Sequence, residues 1–191
     1  MTDKFLNLFD SYVKLTENDI EFCKHYFELK SLPKNNIAEE ENKIPAHLYF
    51  ITKGFMRLFY YDDHGDEVTT LIASPNNFIT PFLDFIHQKK SNLNLDSITD
   101  CEFLRIERSK LVELIDKNEN FKNFSLIIFE QAMANTNIRA NDLATLSAEL
   151  RYKKLLEEQP EIIQKVPVQY IATYLGIKPQ SLSRIRKQII K

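Results

Sequence analysis

Val168-Gln-Tyr-Ile-Ala-Thr-Tyr-Leu-Gly-Ile-Lys-Pro-Gln-Ser-Leu-Ser-Arg-Ile-Arg-Lys-Gln-Ile-Ile190 decides how the chain is read. Ile171, Ala172 and Leu175 recur at helical spacing, and Gly176 supplies the left-handed residue that ends the first helix. Ile177 fills the corner, and Pro179 suits the first turn of a second helix, where its missing N–H costs nothing. On that helix Leu182, Ile185 and Ile189 share one face, while Gln180, Arg184, Lys187 and Lys191 cluster on the opposite one. Helix, glycine turn and amphipathic helix with a basic, amide-bearing outer face form a helix-turn-helix pattern. A guanidinium can pair with guanine and an amide with adenine, while ammonium groups attract phosphates without reading sequence. The plainer alternative is a helical hairpin whose terminal cations complement the helix dipole.

Charge distribution supports a duplex partner. Net charge is −2. Residues 147–191, however, hold nine Lys/Arg and four Asp/Glu, a net of +5, leaving −7 on residues 1–146. From Lys178 onward there are five basic residues and no acidic one. A basic tip on an acidic body steers a polyanion to one end.

Working back toward the N-terminus, Ser147 is expected to cap a helix running to Glu158, which Gln159-Pro160 ends. A helix from Glu119 to about Leu146 carries Leu126, Phe129, Met133, Thr136, Ala140 and Leu143 at alternating spacings of three and four. That seam suits a parallel two-helix dimer interface, with packing onto its own barrel as the alternative. Leu126 to Phe129 are apolar in succession, which points to more than one covered face. A unit of 147–191 is small to fold alone and should lean on the long helix.

From Glu28 to Ile106 the period is two. Strands are expected at Leu48–Ile51, Phe55–Tyr61, Glu67–Ile72 and Asp100–Ile106, with turns at Lys53-Gly54 and at Asp62–Asp66 around Gly65. Phe78, Ile79, Phe82, Leu83, Phe85 and Ile86 read as one short buried helix, followed by an exposed turn, Gln88–Ser91. Ser109 is expected to cap Lys110–Lys117, and Glu39-Glu-Glu41 reads as a solvated charge run. At the N-terminus, Phe5, Leu6, Phe9 and Val13 mark an amphipathic helix, and Thr16 to Asp19 a capping box opening another.

Several functions are disfavoured by residue type. Cys23 and Cys101 cannot supply four sulfur ligands, and His25, His47, His64 and His87 are isolated, which argues against a metalloenzyme on a cupin-like barrel. No nucleophile elbow, phosphate loop or carboxylate pair appears, so the chain reads as a non-enzyme. No apolar run approaches the roughly 18 residues of a membrane span, and Met1–Asn7 lacks a signal layout, so a cytoplasmic location is the default expectation.

Three segments in order, Leu48–Arg57, Ser147–Tyr152 and Ile171–Arg184, resemble the Crp/Fnr family of bacterial transcription regulators over nearly the whole chain. The resemblance implies an α+β fold in three parts. Residues 1–118 would form an antiparallel β-roll sensor domain of cyclic-nucleotide-binding type with flanking helices. Residues 119–146 would form a dimerisation helix, and 147–191 a winged-helix-like helix-turn-helix. With the chain ending soon after the second helix, that unit is expected to lack its β-hairpin wing. The resemblance places Gln180, Ser181 and Arg184 at base edges and Ser183 and Lys187 near phosphates. Lys178, standing where Ser or Thr usually caps, adds a phosphate contact. Implied partners are double-stranded DNA, a second copy of the chain, RNA polymerase and an unknown small-molecule effector; no cofactor is evident. The family's nucleotide-binding members carry a Gly-Glu and an Arg-Ser/Thr pair that Asn77–Asn92 lacks, which argues against a cyclic nucleotide. Lys89, Lys90 and Ser91 are the available stand-ins and read instead as a solvated loop. The competing reading is a ligand-binding barrel whose helical tail only packs.

Overall fold

The computed structural model describes residues 3–189. Lys191, expected on the outer face of the last helix, lies outside them, as do Ile190 and the first two residues. Two N-terminal helices, α1 (Asp3–Tyr12) and α2 (Glu17–Tyr26), precede eight strands. These are β1 (Glu28–Leu32), β2 (Ile37–Glu39), β3 (His47–Lys53), β4 (Met56–Tyr61), β5 (Glu67–Ala73), β6 (Phe78–Ile79), β7 (Asn94–Ser97) and β8 (Cys101–Glu107), with α3 (Phe82–His87) inserted after β6. Six helices follow: α4 (Arg108–Lys117), α5 (Glu119–Thr145), α6 (Ala148–Glu158), α7 (Pro160–Lys165), α8 (Val168–Tyr174) and α9 (Pro179–Ile189). The α+β class expected from the sequence is the one found.

The strands form two antiparallel four-stranded sheets, ordered β1-β8-β3-β6 and β2-β7-β4-β5. They close into a roll whose lumen is filled by side chains, among them Tyr49, Ile51, Met56, Leu58, Leu95 and Phe103. At the β3–β4 turn Gly54 has φ +87°, and a Cβ there would stand 2.4 Å from the Asp100 carbonyl oxygen, so only glycine fits. A second apolar cluster covers the other side of the first sheet, where Phe5 and Phe9 of α1 meet Phe50, Phe121 and Phe124. Phe9 and Phe124 stack at 4.5 Å. The Thr16 capping box forms as expected. Its Asp19 is buried and also accepts from Asn118 at 2.7 Å and Asn120 at 2.8 Å, tying α2 to the start of α5.

Several local expectations are corrected. Phe78 and Ile79 pair with β3 as a short strand, and α3 begins only at Phe82, because Pro81 imposes the break. Leu83 and Ile86 consequently face outward. Ser91 is buried rather than in an exposed turn, its N–H held by the Lys43 carbonyl at 2.9 Å. Ser109 lies one residue inside α4, where its hydroxyl bonds Glu107 Oε1 at 2.7 Å, and Glu107 occupies the cap position. Strands β1, β2, β6 and β7 and helix α7 carry too few residues to show a period. Glu39 is no solvated charge: it ends β2 in a buried site.

Candidate nucleic-acid interface

The C-terminal unit is built from its caps inward. Ser147 Oγ accepts the Leu150 N–H and starts α6. The α8–α9 turn is a Schellman closure: Gly176 at φ +69° donates to the Thr173 carbonyl and Ile177 to the Ala172 carbonyl, both at 3.0 Å. Arg151 clamps this turn, donating through Nε (3.0 Å) and Nη2 (2.9 Å) to the Leu175 carbonyl and through Nη1 to the Leu146 carbonyl. One guanidinium therefore joins the end of α5 to the corner of the helix pair. Lys154 adds a 2.6 Å ion pair to Asp142 of α5. The unit thus leans on the long helix as expected.

Helix α9 divides cleanly. Leu182 is fully buried, with Ile185 and Ile189 half-buried against the same cluster. Lys178, Gln180, Ser181, Ser183, Arg184 and Lys187 are all exposed. Among the described residues, the side chains of Gln180, Ser181, Arg184 and Lys187 enter no hydrogen bond or ion pair. Two of the six are engaged: Ser183 Oγ donates to the Pro179 carbonyl at 3.0 Å, and Lys178 Nζ lies 3.5 Å from Asp66 Oδ2 of the β4–β5 loop. Arg186 departs from the basic ridge, being half-buried with its guanidinium 5.8 Å from the Tyr152 ring. The ridge is therefore narrower than the charge count implies.

The unit also docks on the barrel, which the sequence did not reveal. Phe55, Ile72 and Ile98 of the roll share one cluster with Tyr152, Ile162 and Ile171. The Tyr170 ring lies 3.5 Å from the Arg57 guanidinium carbon, and the Thr69 N–H donates to Thr173 Oγ1 at 3.2 Å. Arg57 is 1% exposed, held by Asp96, Glu67 and Thr69. Burial works against its charge, but hydrogen bonds and charges from Asp96 and Glu67 outweigh it and keep the guanidinium cationic.

The proposed seam on α5 lies on the face turned away from the barrel. Phe121, Phe124, Ser125 and Ile128 are buried, whereas Leu126 is 57% and Met133 48% exposed. Ala140 and Leu143 are exposed further along. Phe129 is shared: it is half-buried, with its ring 5.9 Å from that of Phe82. In the stretch that corresponds to the family's phosphate cassette, where no phosphate site is expected, Lys89 and Lys90 project outward while Ser91 Oγ is used by the Leu93 N–H at 3.1 Å. Both cysteines are free and buried, and burial, with the charge of Asp19, pushes the Cys23 thiol up to about 12. None of the described helices is long and apolar enough to cross a membrane.

Residues 29–118 match the family model of the cyclic nucleotide-binding domain. No curated protein matches the chain. Among solved structures, FixK2 from Bradyrhizobium japonicum superposes with a TM-score of 0.74 at 15% identity, covering 85% of this chain and 84% of that one. CLP, the c-di-GMP-responsive global regulator of Xanthomonas campestris, gives 0.70 at 18% identity and 91% of each chain. A protein from Eubacterium rectale described as a transcriptional regulator of the Crp/Fnr family gives 0.68 at 15% identity, covering 91% of this chain and 83% of that one. At these identities the likeness is one of fold. The chain is Crp/Fnr-like in fold, with a domain of the cyclic nucleotide-binding type joined through a long helix to a C-terminal helix-turn-helix.

Proposed function

We propose that the protein is a dimeric, sequence-specific DNA-binding regulator of transcription, with α9 as its reading helix and the outer stripe of α5 as its subunit seam. The observation that carries this reading is the division of α9. Its apolar residues are committed to the core, while Gln180, Ser181 and Arg184 stand free beside Lys187. The exposed ridge leaves an amide and a guanidinium available to base edges, which supports this reading. In a two-fold dimer the two α9 helices would enter successive major grooves about 34 Å apart. Lys178, Ser183 and Lys187 would meet phosphates at the edges of each groove. The side-chain-packed lumen favours a barrel that structures the molecule over one that holds a nucleotide there.

The test is Arg184→Ala on a selected duplex and on a scrambled one. Loss of a bidentate base contact should cost about 1–3 kcal/mol on the selected duplex and relax preference at one position per half-site. Equal losses on both duplexes would remove Arg184 from base reading.

A further inference from the structure

We propose that Arg57 and Tyr170 are positioning residues for the reading helix. They lock the helix-turn-helix onto its own barrel without a bound effector, so that the distance between the two reading helices of a dimer is built in. The inference rests on the dimeric DNA-binding reading given above.

Arg57 lies on β4 between Met56 and Leu58, whose side chains enter the lumen cluster, so its own side chain leaves on the outer face of the sheet. An arginine there would ordinarily be solvated. Here Nε meets Asp96 Oδ1 at 3.0 Å, Nη2 meets Asp96 Oδ2 at 2.9 Å and Glu67 Oε2 at 2.6 Å, and Nη1 meets Thr69 Oγ1 at 3.3 Å. The Phe59 ring stands 4.1 Å from the guanidinium carbon. All of these partners belong to the barrel, so the charge and orientation of the guanidinium are set by barrel residues alone. Tyr170 of α8 supplies the remaining ring at 3.5 Å, in cation–π contact.

Beside it, β5 is the edge of its sheet, and its Thr69 N–H is taken by Thr173 of α8 rather than by water or another chain. The apolar contact of Phe55, Ile72 and Ile98 with the α6–α8 core extends the same junction. A ligand shifts an equilibrium only by its preference between two states. With the docked state already held by these contacts and the lumen full, DNA binding needs no small molecule to assemble it. A docked unit fixes half-site spacing; a unit held only to α5, through Arg151 and Lys154, would accept a wider range of spacings and lose affinity through the cost of ordering.

Arg57 itself is a poor probe, since removing it leaves Asp96 buried without its cation. Tyr170→Ala and Tyr170→Phe are the variants of choice. The full-length protein, shown ligand-free by native mass spectrometry, is titrated with its selected duplex and with duplexes whose spacer is changed by two base pairs, a displacement of about 7 Å. Titrations are repeated with cyclic AMP, cyclic GMP and cyclic di-GMP. The wild type should bind without nucleotide, change less than about twofold on adding any of them, and lose at least about tenfold on the altered spacers, the factor expected of one lost contact. Tyr170→Ala should flatten the spacer profile to within about threefold, and Tyr170→Phe, which keeps the ring, should restore it. Hydrogen exchange should show α8 opening in Tyr170→Ala while β3 and β8 stay protected. A wild-type spacer profile in Tyr170→Ala, or selective binding that requires one of the nucleotides, would overturn the assignment. If no duplex is bound selectively under any of these conditions, the DNA-binding reading itself fails and takes this assignment with it.

Discussion

Arg184 and Lys187 sit on the same exposed ridge of α9, but their chemistry separates their roles. A guanidinium offers a planar fork to a base edge, whereas an ammonium is a point charge suited to phosphate. Lys187→Ala should therefore weaken all duplexes alike and reduce the slope of log affinity against log salt by about one; an unchanged slope would remove Lys187 from the phosphate contacts. At the other end of the molecule, Glu39 shows how a residue that looks solvated can be structural. Burial alone would raise its pKa. Hydrogen bonds from His47, from the Tyr49 hydroxyl at 2.8 Å and from the Ala46 N–H outweigh burial and hold the carboxyl below its ordinary value. A depressed carboxylate contributes stability that is complete above the unfolded value and is lost as pH falls through the folded one. Glu39→Gln should thus cost about 1.5–3 kcal/mol near neutrality, and the gap to wild type should narrow as pH falls through the folded value, below the ordinary carboxylate range. Urea unfolding at pH 7 and pH 3 measures it, and a gap of equal size at both would contradict the ionised-acceptor account.

Among the elements, α5 has two unlike faces. Phe121, Phe124 and Ile128 anchor it to the barrel cluster, and the stripe through Leu126 and Met133 is exposed, the face we propose pairs with a second copy. Phe129 belongs partly to the first set, so an Asp there would disturb folding as well as association. Met133→Asp is the cleaner probe: a carboxylate in an apolar seam costs on the order of several kcal/mol. It should turn a sedimenting dimer into a monomer with unchanged unfolding of the barrel, and an unchanged mass would remove the seam. This helix was legible because a stripe with spacings of three and four from Leu126 to Leu143 is a strong local signal. The Thr16 and Ser147 caps and the Gly176 turn were legible for the same reason, each being written within four or five residues. Strands β2, β6 and β7 were not, since two to four residues show no period and are held by pairing with distant partners.

For the whole molecule, the order of roll, long helix and helix pair followed from the sequence, but the contact between roll and helix pair did not. Arg57 and Tyr170 are 113 positions apart, and nothing near either marks it as half of a junction. The same holds for Arg151, whose place in the Ser147–Tyr152 segment hinted at a role without showing that it clamps the Leu175 carbonyl. Charge count likewise overstated the ridge, because Arg186 turns toward Tyr152. Among the described residues, α9 carries an exposed cationic, hydrogen-bonding ridge and α5 an exposed apolar stripe, which we propose pairs two chains. The most direct test of that account is selection of bound fragments from a pool of random duplexes by the full-length protein. It should enrich a two-fold symmetric sequence whose half-site centres lie about 10–10.5 base pairs apart, or a multiple of that spacing. A bound pool that stays random in sequence, or one enriched for a single unrepeated site, would contradict it.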